Sequence, residues 1–124
     1  MVYSAAGMGG PSMVARTDIS EFSKRLVKEF RPAKVVLFGS HACGVPREDS
    51  DVDLLVTMDY TGNSRNVAAQ MIRRLKPRFA VDIIVRSRVE LRERVEQHDF
   101  FLTEALRTGQ VLYEAVDARM DPQG

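Results

Sequence analysis

Two apolar, strand-like runs enclose a glycine turn and a pair of aspartates, and no other feature of the chain limits its fold so strongly. Val35-Val36-Leu37-Phe38 leads into Gly39-Ser40, and ten residues later Asp51-Val52-Asp53 opens into Leu54-Leu55-Val56. A strand turns successive side chains to opposite faces. Asp51 and Asp53 therefore share one face, while Val52, Leu54 and Val56 anchor the other.

The rest of the chain alternates helical and strand patterns around this segment. Asp18-Ile19-Ser20-Glu21 reads as a capping box with Asp18 at the cap. Ile19, Phe22, Leu26, Val27 and Phe30 continue at helical spacing, and Pro32 stops the helix. Lys34–Phe38 reads as a strand buried on both faces, Gly39 as a turn, and Ser40 as the cap of a short helical turn broken by Gly44-Val45-Pro46. Asp51–Met58 is the second expected strand. A turn at Thr61-Gly62-Asn63 precedes a helix with Val67, Ala68, Met71, Ile72 and Leu75 on one stripe, ended by Pro77. Ala80–Val85 reads as a third strand. Ser87 to Glu90 forms a second capping box, opening a helix with Leu91 and Val95 inward. Asp99 caps a last helix through Phe101, Leu102, Ala105 and Leu106, with Gly109 as its stop. Val111-Leu112-Tyr113 closes as a strand, and the remaining Met and Phe positions read as core. The expected organisation is a tail over 1–16, one domain over 17–116 and a second tail over 117–124, without repeats.

Composition excludes several classes. A 124-residue chain with 44% hydrophobic and 28% charged residues is a single domain with a real core, not a disordered one. No apolar run approaches the ~20 residues that span a bilayer, and no secretory pattern opens the chain. A single cysteine, Cys43, rules out an intrachain disulfide framework and fits a reducing cytoplasm. Adding His41 and His98 does not make a structural zinc set. A net charge of +1 argues against general nucleic-acid binding. Glu48, Asp49, Asp51, Asp53 and Asp59 make one stretch acidic, and eight basic residues from Arg73 to Arg94 make a later one basic. Such runs are ordinarily solvated faces; the sharper reading is a surface for triphosphate or an acidic partner.

Side-by-side carboxylates repel unless a cation or hydrogen bonds compensate them. Magnesium takes oxygen ligands and keeps waters and phosphate oxygens in its shell. Asp82 is the single carboxylate in the apolar run Val81-Asp82-Ile83-Ile84-Val85 and is costly there unless paired or placed at an exposed end. If its strand lies beside the second one, Asp82 completes a three-carboxylate cluster, able to hold two ions roughly 4 Å apart for an in-line displacement. Gly39, lacking a Cβ, lets the backbone approach phosphate oxygens. Ser40 offers a hydroxyl and amide groups to a triphosphate. The bland alternatives are a solvated aspartate pair for Asp51 and Asp53, a salt bridge of Asp82 to Arg78 or Arg86, and a plain turn cap for Ser40.

Gly39-Ser40 through Asp51-Val52-Asp53-Leu54-Leu55-Val56, with Val81-Asp82-Ile83-Ile84 and the ending Phe101 to Tyr113, resembles the polymerase-β-like nucleotidyltransferase superfamily, above all its minimal nucleotidyltransferase (MNT) branch. The similarity covers roughly residues 18–115. It implies an α+β fold, a mixed sheet of about four strands with helices mainly on one face. It also implies magnesium-dependent transfer of a nucleoside monophosphate, with ATP as the expected donor, to a hydroxyl. Asp51, Asp53 and Asp82 carry over as catalytic and metal-ligating carboxylates, and Gly39, Ser40 and His41 as the phosphate contact. Position 41 is often arginine in this family; here it is His41. Many such proteins are encoded beside a HEPN-type helical toxin, for which the small protein is the antitoxin, through adenylylation (AMPylation) of a partner tyrosine. The alternatives are a non-catalytic module that masks its partner by contact and a small-molecule transferase of the antibiotic-modifying kind. A homo-oligomer could supply an acceptor cleft.

Overall fold

The computed structural model describes residues 14–44 and 50–116. Five helices and four strands follow one another as α1 (Arg16–Phe30), β1 (Lys34–Phe38), α2 (Ser40–Cys43), β2 (Val52–Thr57), α3 (Ser64–Leu75), β3 (Val81–Arg86), α4 (Arg88–Glu96), α5 (Phe100–Thr108) and β4 (Gln110–Glu114). The strands form one mixed sheet in the order β3-β2-β1-β4. β1 is antiparallel to both β2 and β4, and β2 is parallel to β3. Residues 39–51, which include α2, return the chain for the antiparallel β1–β2 pair, whereas the parallel β2–β3 pair needs a crossover, which α3 provides.

The central strands are apolar on both faces because both faces are covered. On one, Val35, Leu37, Val52, Leu54, Val56, Ile83 and Val85 pack under α1 and α3 with Phe22, Leu26, Met71 and Leu75. On the other, Val36, Phe38 and Leu55 meet Leu102 and Ala105 of α5, with Leu91 of α4 at the margin. The larger helical layer therefore lies on one face. The fully buried Leu26, Leu37, Leu54, Leu55, Met71 and Leu75 each contribute on the order of 2 kcal/mol of apolar burial.

Punctuation residues act largely as their chemistry predicts. The Asn63 side chain accepts the Arg65 N–H at 2.7 Å and caps α3. Ser87 and Glu90 form the reciprocal box that opens α4. Asp99 accepts from Leu102 N–H at 3.1 Å, which holds its carboxyl below the usual range. Four expectations are corrected. Asp18 is not the cap of α1: the helix begins earlier, and the Asp18 carboxylate reaches back to the Ala15 N–H at 3.2 Å. Val95 does not turn inward, since α4 buries none of its residues. Phe100 and Phe101 are not core, being 83% and 56% exposed. Ser40 is the first residue of α2, and the cap position falls on Gly39. Val45 and Pro46, expected to break that turn, lie outside the described residues, as do Glu48 and Asp49. No described helix is long and apolar enough to cross a membrane.

Candidate active site

The parallel register sets Asp53 directly beside Asp82. The antiparallel register sets Phe38 on the other side of Asp53, so the β1–α2 turn at Gly39 meets the same point. Three separate segments therefore converge: the start of β2, the start of β3 and the turn leaving β1. Asp51 precedes β2 by one residue and is exposed, Asp53 is half-buried and Asp82 is exposed.

Gly39 is bound to Asp53 by lack of space. Its φ of 78° and ψ of −157° belong to a region that only glycine occupies at low cost. A Cβ built there would lie 2.4 Å from Asp53 Oδ2. The carboxylate thus rests on bare backbone, the kind of surface to which another anionic oxygen can also come close.

Asp53 is electrostatically unsettled. Burial, then Asp82, then Asp51 raise its pKa from 3.8 to about 6, opposed by the attraction of His41. Carboxylates forced together in this way hold a cation far more readily than isolated ones. Among the described residues no group of three or more acidic, histidine or cysteine side chains is placed to hold a metal ion by itself. The donors are instead an open, incomplete set of hard oxygens, which suits magnesium, an ion that fills its shell with water and substrate oxygens. The fit to Asp51, Asp53 and Asp82 is therefore chemical: oxygen donors only, mutual repulsion, and room for other ligands.

His41 lies 7% exposed beneath the site, with Nε2 3.3 Å from the Ser50 carbonyl. It joins α2 to the entry of β2. From the opposite side, Gln110 of β4 donates to the Ala42 carbonyl at 2.6 Å. Four-residue α2, and with it Ser40, is thus fixed by contacts to two other elements. Cys43 at its end is free and exposed.

A second polar group escaped sequence reasoning. At the far ends of β2 and β3, Tyr60 donates its hydroxyl to the Glu90 carboxylate, at 2.7 and 2.8 Å to its two oxygens. Glu90 also accepts the Ser87 N–H, which holds its carboxyl below the usual range, with Tyr60 and Arg86 adding to the effect. The Ser87-x-x-Glu90 spacing announced the cap; nothing local announced Tyr60, thirty residues away.

The family model described as a nucleotidyltransferase domain matches residues 19–108. No curated protein matches the sequence. Several solved structures share the fold, three of them as follows. One, a crystal structure of a toxin–antitoxin with AMP-PNP, has 19% identity over 80% of this chain and 76% of that one, at a TM-score of 0.53. A nucleotidyltransferase of Sulfolobus solfataricus, solved at 1.40 Å, has 20% identity over 79% and 78%, with a TM-score of 0.54. A double Asp→Glu mutant of the toxin–antitoxin MntA–HpeT has 15% identity over 80% and 75%, with a TM-score of 0.51.

Proposed function

The chain belongs to the nucleotidyltransferase domain family, and from that premise we propose that it transfers AMP from ATP to a hydroxyl of a protein partner, as the antitoxin of a toxin–antitoxin pair. The observation that carries this reading is the in-register pair Asp53 and Asp82 beside the bare backbone of Gly39. The toxin–antitoxin context and AMP-PNP of the structural relatives support it, and so does a relative studied with two aspartates changed to glutamate. A HEPN-type helical protein is the proposed partner, and the cytoplasm the proposed setting.

In the proposed reaction the acceptor oxygen attacks the α-phosphorus, a new P–O bond forms, the bond to the β-phosphate breaks and pyrophosphate leaves. Asp82, exposed at the mouth of the site, takes the acceptor proton on a carboxylate oxygen. Asp51, Asp53 and Asp82 would hold magnesium, whose chemistry there is to neutralise phosphate charge. Gly39 gives the phosphates close access to backbone. Ser40 adds its hydroxyl. His41 holds the floor of the site to Ser50 and draws on the charge of Asp53.

The test is incubation with α-labelled ATP, magnesium and the product of the neighbouring gene. Label should move to that protein, and Asp53→Asn should reduce transfer by at least about a thousandfold while the fold survives. A bound pair with no label transfer would defeat the proposal. The exposed Phe100 and Phe101 favour, as a second reading, a module that masks its partner by contact. Neutralisation undiminished by replacing both Asp51 and Asp53 would select that reading.

A further inference from the structure

β3 forms one outer edge of the sheet, and along it runs an open groove of about 370 Å³. Its floor is residues 82–86, and its wall is Ser64, Arg65 and Ala68 at the start of α3. The Ala80 carbonyl accepts from Val52 N–H at 3.0 Å, and the Arg86 carbonyl from Met58 N–H at 3.1 Å. In a parallel ladder the bonding residues alternate. The even-numbered residues of β3 therefore pair with β2, and the N–H and C=O groups of Val81, Ile83 and Val85 face away from it. Arg86 Nη1 covers the Val85 carbonyl at 2.7 Å, closing one end. Val81 and Ile83 present their backbone groups beside Asp82.

The two ends of the groove carry opposite charge. Asp82 stands at one end and Arg65 and Arg86 at the other. Arg86 is partly answered by Glu90 but keeps a buried Nε without a hydrogen-bond partner. Arg65 is exposed and makes no ion pair among the described residues. Asp82 and Arg86 share a face of the strand, and four residues at about 3.3 Å each separate them by roughly 13 Å.

We propose that this edge docks the acceptor: an extended polypeptide segment that adds to β3 as a fifth strand, with its hydroxyl residue at Asp82 and an acidic side chain about four positions away on Arg65 and Arg86. The proposal rests on the transferase reading for the role of Asp82. The recognition it describes is main-chain pairing for affinity and one charge contact for register, which is how a sheet edge selects a peptide. A free sheet edge beside a catalytic carboxylate needs no enclosed pocket for its acceptor.

The experiment uses the full chain without nucleotide. Short tyrosine-centred peptides, with one glutamate moved through every other position, are titrated against the isotope-labelled protein, and amide shifts are followed. Binding should be tightest with the glutamate about four positions from the tyrosine, with shifts centred on Val81 and Ile83. N-methylation of alternate peptide amides should abolish it, and Arg65→Glu, at an exposed site, should weaken it by about tenfold. Binding indifferent to glutamate position, shifts centred on α5, or no peptide binding would overturn the proposal. So would a response of β3 only to hydroxyl-rich aminoglycosides, or a homodimer that closes this edge in solution. Peptide docking without AMP transfer would leave the docking site standing and defeat the transferase reading. Transfer unaffected by Arg65→Glu would do the reverse.

Discussion

Gly39 and Asp53 occupy space that only one of them can fill: a Cβ on residue 39 would lie 2.4 Å from the Asp53 carboxylate. The glycine's positive φ adds a second reason for its identity. Gly39→Ala should therefore cost about 2 kcal/mol or more and displace the carboxylate. Denaturation would show the stability loss, and metal titration a weakened divalent site. Adding Asp53→Gly should recover part of the stability and none of the activity. No recovery in the double variant would mean that the backbone alone sets the penalty.

The raised pKa of Asp53 makes a prediction with a definite sign. A carboxyl whose pKa rises on folding contributes stability that is fully present below 3.8 and lost as pH climbs through about 6. Two pKa units correspond to about 3 kcal/mol, which screening in an open cleft reduces to about 1–2 kcal/mol. Metal-free protein should accordingly lose stability between about pH 4 and about pH 6. Asp53→Asn should remove that slope and be the more stable protein at neutral pH. The lowered carboxyls of Glu90 and Asp99 act in the opposite direction below their ordinary values of 4.5 and 3.8, at the acid end of this window. Urea denaturation of both proteins across the range decides, and parallel curves would contradict the assignment.

His41 should be a positioning residue. His41→Gln removes the attraction that opposes the upward pressure on Asp53 and loosens the contact to Ser50. The Asp53 carboxyl should then titrate higher still, readable from its carbon resonance. An unmoved titration would show that the histidine acts only as packing.

Gly109 is required by packing. Its φ is −72°, which any residue adopts, but a Cβ would come 2.4 Å from the Ala105 carbonyl and 2.5 Å from Val36 Cγ1. Gly109→Ala should destabilise by about 2 kcal/mol, because a carbonyl inside a helix cannot move aside as a side-chain tip can. Activity per folded molecule should hold. A neutral substitution would show that the α5–β4 junction is looser than its contacts indicate.

Tyr60→Phe deletes the bridge from the segment after β2 to the first turn of α4. Glu90 keeps its Ser87 partner, so the cost should be about 1 kcal/mol. The hydrogen bond to Glu90 also holds the Tyr60 hydroxyl above its usual titration range. Ultraviolet titration of the phenols should lose its highest component in the variant.

Much of this architecture was legible in one dimension because it rests on local rules. Apolar runs bounded by turn residues placed β1 and β3 to within a residue or so of their ends, and period-two alternation put Asp51 and Asp53 on one face. Ser87 and Asp99 act through backbone groups three positions away, so their spacing reveals them, whereas Asn63, read only as part of a turn, proves to cap α3. Phe100 and Phe101 broke the pattern because a helix end that covers only part of a sheet face leaves apolar residues uncovered, and periodicity does not measure coverage.

By itself the amino-acid order determined which residues carry charge, which runs form strands, and that a glycine turn precedes two aspartates on one face. Only the folded sheet decided that β3 lies parallel to β2 in the register that sets Asp82 against Asp53, that Gly39 must give way to a carboxylate, and that β3 is an outer strand of the sheet among the described residues. The difference is one of range. Alternation and capping act over a few bonds, whereas register, burial and the repulsion that raises Asp53 arise between segments whose separation in the chain says nothing of their distance in space.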